Sequence, residues 1–115
     1  MSPDDAIRLQ HMLDAAEAAL RFVRGRSRAE LDGDELLVFA LVRAVEVIGE
    51  AASRISPAGR ADLPAVPWTQ IVGMRNRLVH AYFDVDLTVL WDTVTLAIPD
   101  LLARARAPST GRGRD

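Results

Sequence analysis

Between positions 74 and 82 the chain reads Met-Arg-Asn-Arg-Leu-Val-His-Ala-Tyr. Four kinds of polar group with chemical use fall within eight positions. An unperturbed imidazole titrates near pH ~6.5, so His80 can give or take a proton at neutrality. Arg75 and Arg77 are fixed cations whose planar forks match phosphoryl oxygens. Asn76 can donate and accept, and Tyr82 supplies a hydroxyl. Together these groups suit proton transfer beside a bound phosphate. On a helix, Asn76 and His80 are four apart and share a face, so the amide could hold one imidazole nitrogen and set its tautomer. Arg75 lies five before His80, about 140° round an ideal helix. It must reach round, or the helix must unwind at His80. Tyr82 then becomes a rim residue placed by a loop. The plainer reading is a histidine favoured by a helix C-terminus and an arginine paired with a neighbouring acid. Residue types alone leave both open.

Four long helical patterns must position this segment, and no strand is convincing. Ser2 can cap a first helix, with Pro3 in its first turn and Asp4 and Asp5 suiting its dipole. Its apolar stripe is Ala6, Leu9, Leu13, Ala16, Leu20 and Val23, and it ends near Gly25. Arg21, Arg24, Arg26 and Arg28 cluster at that end, as dipole partners or as a phosphate patch. A second helix runs from about Asp34 to Ile55 and is apolar almost all round, which suits a central helix or one shared with a partner chain. Arg43, Glu46, Glu50 and Arg54 fall within roughly 80° of one another on it. They form either a solvated salt-bridge ladder or an acidic anchor for an arginine from another helix. Ser56-Pro57 opens a connector with one short helical turn. A third helix is expected from Pro67 or Trp68 to His80, followed by a break over Ala81 to Val85. Asp86 caps a fourth helix with the stripe Leu87, Leu90, Trp91, Val94, Ala97 or Ile98, Leu101 and Leu102, and Pro99 should kink or split it.

Composition narrows the chemistry. The 115 residues fit one domain, and half of them are hydrophobic, enough for a packed core. There is no cysteine, which excludes a disulfide scaffold, a thiolate metal site and a thiol nucleophile. Two histidines, His11 and His80, are too few for a multi-histidine metal site in one chain. No apolar run is long enough to span a membrane, and the N-terminus lacks a signal-peptide layout, so the expected location is cytoplasmic. Net charge is −2, and all 14 basic residues are arginine. Any nucleic-acid signal must therefore be local. Residues 1–106 are expected to form the helical domain, and 107–115, rich in Pro, Ser, Gly and Arg, a disordered tail.

The segment Arg75-Asn76-(three residues)-His80 resembles the signature of HEPN-domain ribonucleases. The tighter form Arg-x4-His-x-Tyr, met by Arg75, His80 and Tyr82, resembles the HepT toxin branch. PWTQIVGMRNRLVHAYFDVD and ALVRAVEVIGEAASRIS are similar to that branch along their length, and the resemblance covers roughly residues 3 to 105. One departure is Ala81, where relatives often carry glycine. The resemblance implies an all-α, antiparallel HEPN bundle of four to five helices that pairs into a homodimer with both motifs facing one cleft. It implies metal-independent cleavage of RNA without a cofactor and a catalytic pair, Arg75 and His80, supported by Asn76 and Tyr82. It also implies a toxin role beside a minimal nucleotidyltransferase antitoxin of the MntA type, which silences the toxin by adding AMP to Tyr82. Two rivals use the same residues: a non-catalytic HEPN-like module that only binds a nucleotidyltransferase, and a plain helical dimerisation domain.

Overall fold

The computed structural model describes residues 1–81 and 84–106. Helix α1 (Pro3–Val23) starts as the sequence requires: Ser2 Oγ accepts from the Asp5 N–H at 3.1 Å, and Pro3 occupies the first turn. It closes just before Gly25, whose φ of +72° is open to a residue without Cβ. A 3-10 turn (Arg28–Asp32) follows. Arg26 bridges Glu30 at 2.6 Å and Asp34 at 2.5 Å across it. The Asp34 carboxylate also accepts from the Leu37 N–H and so caps α2 (Glu35–Ser53). Ser56 caps the short α3 (Pro57–Ala61). Next come α4 (Trp68–Val72) and α5 (Met74–Leu78), then two minimal strands, β1 (Val79–Ala81) and β2 (Asp84–Val85). Asp86 caps α6 (Leu87–Asp92), a π-helical turn spans Thr93–Ala97, and α7 (Ile98–Arg106) ends the described chain.

The fold is all-α. Helices α1 and α2 pack as an antiparallel pair, and the α6–α7 rod lies against them. Met12, Ala16 and Ala19 of α1 meet Leu41, Val45, Ile48 and Ala52 of α2 in one core. Leu90, Val94, Ile98 and Leu101 close it from the rod, and Met74 and Leu78 of α5 plug its side. Each large side chain buried here stabilises by roughly 1.5–3 kcal/mol.

Four local features differ from the sequence reading. The expected third helix is two single-turn helices parted at Gly73, and it stops at Leu78, short of His80. The Asp86 N–H takes the Leu78 carbonyl at 2.7 Å, so that acceptor is satisfied across the loop and not by a further helical turn. Pro99 does not split the last rod. It lacks an N–H, and its ring would crowd the carbonyl four residues back, but the wider π turn over Thr93–Ala97 absorbs both problems. In α1, Ala6 is exposed and Asp5 is buried. Ser56 pays for that burial: its N–H and its hydroxyl donate to the two Asp5 oxygens at 2.9 and 2.5 Å, tying the start of α1 to the end of α2. Finally, α2 is not enclosed all round as a central helix would be, for Leu36 (81% exposed) and Phe39 (63%) face outward, which leaves its other reading, a face shared with a partner chain, untested.

Candidate functional site

Local packing brings α5 to α2. Gly49 is buried in the middle of α2, where glycine costs about 1 kcal/mol relative to alanine. A Cβ at Gly49 would stand 3.4 Å from the Val72 carbonyl oxygen and 3.5 Å from that of Ile71. Glycine thus admits the end of α4 against α2 at van der Waals contact, and α5 follows one residue later. Between them opens a groove of about 450 Å³, lined by Glu46, Gly49, Glu50 and Ser53 of α2 and by Val72, Arg75 and Asn76.

Arg75 is anchored in this groove. Its Nε donates to Glu46 Oε2 at 2.8 Å. Glu46 is only a quarter exposed and Arg75 is half exposed. Arg43 lies 3.6 Å from Glu46 and 3.8 Å from Glu50. The polar line on α2 is therefore a ladder and an anchor at once: Arg43 pairs along the helix, and Glu46 also holds an arginine from another element. Among the described residues Glu46 is the one ion-pair partner of Arg75, which it holds through Nε. Asn76 lines the same groove from the next position on α5.

His80 is not on the helix that carries Asn76, so the shared helical face expected for the two does not exist. Its backbone belongs to β1. Val79 pairs with Val85 and Ala81 with Asp84, which leaves His80 as the extra residue of a bulge between the two pairs. Bulges redirect the chain locally and recur beside functional sites. Ala81, the one departure from the resembled pattern, sits in extended strand and needs no positive φ. Tyr82 lies outside the described residues, as does the Arg-rich tail 107–115.

The Glu46 anchor was visible in the sequence as one of two options. Gly49 was missed, although a lone glycine inside an apolar helix signals a close approach of another backbone. Among the described residues no three His, Asp or Glu side chains converge as a metal site. No described helix is long and apolar enough to cross a membrane.

A family profile described as "Ribonuclease HepT-like" matches residues 12–107. Two proteins named "Putative RNase" are similar to this chain. One, from Caldanaerobacter subterraneus subsp. tengcongensis, is 38% identical over 81% of this chain and 83% of its own length. The other, from Methanocaldococcus jannaschii, is 34% identical over 81% and 85%. A protein of Thermococcus cleftensis named "Probable ribonuclease HepT" is 39% identical over 81% of this chain and 84% of its own. No solved structure matches at a comparable level.

Proposed function

The chain belongs to the HepT-like ribonuclease family, and from that premise we propose that it is the endoribonuclease toxin of a toxin–antitoxin pair, acting without a metal as a homodimer. The observation that carries the reading is the anchored Arg75. It is a fixed cation, held through its Nε in an open groove, five residues ahead of a histidine at a backbone bulge.

In this scheme His80 of one protomer takes the proton of a ribose 2′-hydroxyl, and the oxygen attacks the adjacent phosphorus. Arg75 binds the non-bridging oxygens and stabilises the charge that grows on them. The partner subunit's His80 gives a proton to the departing 5′-oxygen. Products end in a 2′,3′-cyclic phosphate on one side and a 5′-hydroxyl on the other. One motif histidine per chain cannot be acid and base together, and two-fold pairing supplies the second. The outward Leu36 and Phe39 support pairing, since large exposed apolar side chains on one helix face mark a covered surface. Asn76 orients His80 or contacts phosphate, and Tyr82 stands at the rim.

A minimal nucleotidyltransferase of the MntA type is the proposed antitoxin, adding AMP to Tyr82. The adduct places bulk and negative charge at the mouth of an anion-binding groove and so repels and blocks RNA. The deciding experiment is cleavage of single-stranded RNA by the purified chain in EDTA. Cyclic-phosphate ends are expected, with losses of about 10²-fold or more in Arg75→Ala and in His80→Ala. Full activity in either variant, or activity abolished by the chelator, defeats the scheme.

A further inference from the structure

On the other side of α2 lies a second, smaller recess of about 120 Å³, formed with α1 and lined by Arg8, His11, Val47, Glu50, Ala51 and Arg54. Glu50 lines both this recess and the Arg75 groove, so the two depressions adjoin across one ridge of α2. Arg8 and His11 are three apart on α1 and share a face. Arg54 closes the end of α2.

These basic groups are not explained by the fold. Among the described residues none of the three makes an ion pair, and Arg8 Nε is buried without an acceptor. Of the two acids in the first turn of α1, Asp5 is engaged by Ser56, and Asp4 makes no ion pair with Arg8 among the described residues. Arg54 is not needed to satisfy the end of α2, because Arg60 donates to the Ala52 and Ile55 carbonyls at 3.1 and 3.2 Å. Glu50 is the acid in the recess, and Arg43 lies within ion-pair distance of it. A buried guanidinium donor without an acceptor is costly, and the residue that carries it lines the recess. Arg8 and His11 also precede residue 12, where the family match begins.

We propose that the Arg8–His11–Arg54 recess binds a backbone phosphate of the RNA strand, upstream or downstream of the phosphate held by Arg75. This rests on the ribonuclease reading. Along α2, Glu46 and Arg54 are eight residues or about 12 Å apart, a span of a few nucleotides. Two arginines and a histidine line a space of a size that suits one phosphoryl group. The recess thus adds affinity and direction for a strand and carries no sequence information.

The test uses the full chain and a single-stranded oligonucleotide made uncleavable by 2′-O-methylation. Its affinity is measured by fluorescence anisotropy across a potassium chloride series. The double variant Arg8→Met/Arg54→Met keeps the aliphatic stems and removes two charges. Its salt slope should fall by about 0.7, the value for one lost phosphate contact on a single strand, with at least a tenfold loss of affinity at low salt. Arg104→Met, on α7 and paired with Asp100, removes a charge elsewhere and should leave the slope at the wild-type value. A melting temperature within two degrees or so of wild type confirms that the double variant folds; if it does not, Arg54→Met alone is read, with a smaller fall of the slope in the same direction. An unchanged slope while wild type still cleaves RNA overturns the recess and leaves the ribonuclease reading standing. Failure of wild type both to bind and to cleave overturns both. Titration with AMP or inorganic phosphate separates the sources: saturable binding to wild type that the double variant loses, without an altered RNA slope, marks a free-phosphate site and overturns the proposal.

Discussion

Replacing Glu46 by alanine separates what the acid does for the fold from what it does for Arg75. The contact is a single 2.8 Å hydrogen bond between a half-exposed guanidinium and a carboxylate a quarter exposed. Pairs with that much solvent contribute about 0.2–1 kcal/mol after screening. The fold should therefore lose no more than a few degrees of melting temperature. Activity should respond far more. Removing a positioned cation that meets transition-state charge costs roughly 10²–10³-fold, the expected loss in Arg75→Ala. Freeing the same cation from its anchor costs less, and misplacement by about 1 Å is worth up to about 10²-fold. We therefore expect Glu46→Ala to lower kcat by about 10- to 100-fold and Glu46→Gln, which keeps an acceptor for Arg75 Nε, to recover part of it. Deleting Glu46 also removes a negative charge from a groove that must take RNA, so KM should fall while kcat falls. That opposed movement is what a merely structural acid would not produce. In Glu46→Ala/Arg75→Ala the loss should equal that of Arg75→Ala alone, because the two act as a unit. The assay is steady-state cleavage of a fluorogenic RNA oligonucleotide. Losses that multiply in the double variant, or a kcat that tracks melting temperature, refute the reasoning.

Three further outcomes follow from the same geometry. A Cβ on Gly59 would stand 2.5 Å from Asp5 Oδ2 and 2.9 Å from both Asp5 Cγ and Ile55 Cγ2; Gly59→Ala should cost about 1–3 kcal/mol in urea denaturation, and an unmoved midpoint would contradict it. The Ser56 hydroxyl, then the Ser56 N–H, hold the Asp5 carboxyl below its ordinary value of 3.8; its folded pKa is lower than its unfolded one, so its stabilisation is complete above that ordinary value and fades as pH falls through the folded value. Melting temperature against pH should therefore fall less steeply at the acid end in Asp5→Asn than in wild type, and parallel curves would rule out this origin. Leu36→Glu/Phe39→Glu puts charge on the exposed apolar part of α2 and should turn a dimer into a monomer by sedimentation, with cleavage lost at concentrations where wild type is dimeric; a variant that stays dimeric places the interface elsewhere.

Capping chemistry and periodicity made most of the helices legible before any coordinates. Ser2, Asp34, Ser56 and Asp86 each do what their position in the sequence suggests, because a side-chain oxygen three residues ahead of an orphan N–H is a local event. What escaped depends on contacts distant in sequence. The buried Asp5 looks like a surface dipole acid until Ser56, fifty-one residues on, supplies its donors. The end of α5 at Leu78 is set by Asp86 from beyond the loop. For the same reason Asn76 and His80 fit one helical face on paper, whereas a strand bulge carries His80 in the fold. Pro99 was recognised as a disturbance, but the π turn that absorbs it has no residue signature of its own. At the site, the arginine–asparagine–histidine spacing named the right stretch of chain, and the α2 ladder named Glu46 as an option. That Glu46 belongs to the ladder and also anchors an arginine shows only in the packing of α5 on α2, which Gly49 permits.

One outward line on α2 joins these threads. Leu36, Phe39, Arg43, Glu46 and Glu50 follow one another at steps of three and four and so share a face. The first two expose apolar surface, and the last three carry the charges around Arg75. Leu36 and Glu46 are ten residues, about 15 Å, apart along the helix. A second copy covering the apolar half would therefore stand close enough to the groove to reach into it. This is the arrangement that a chain with one motif histidine requires if acid and base are separate. An apolar first half with a charged second half is a poor design for a solitary surface helix, which gains nothing by exposing Leu36 and Phe39. It is a sensible one for a helix whose pairing and whose site must assemble together.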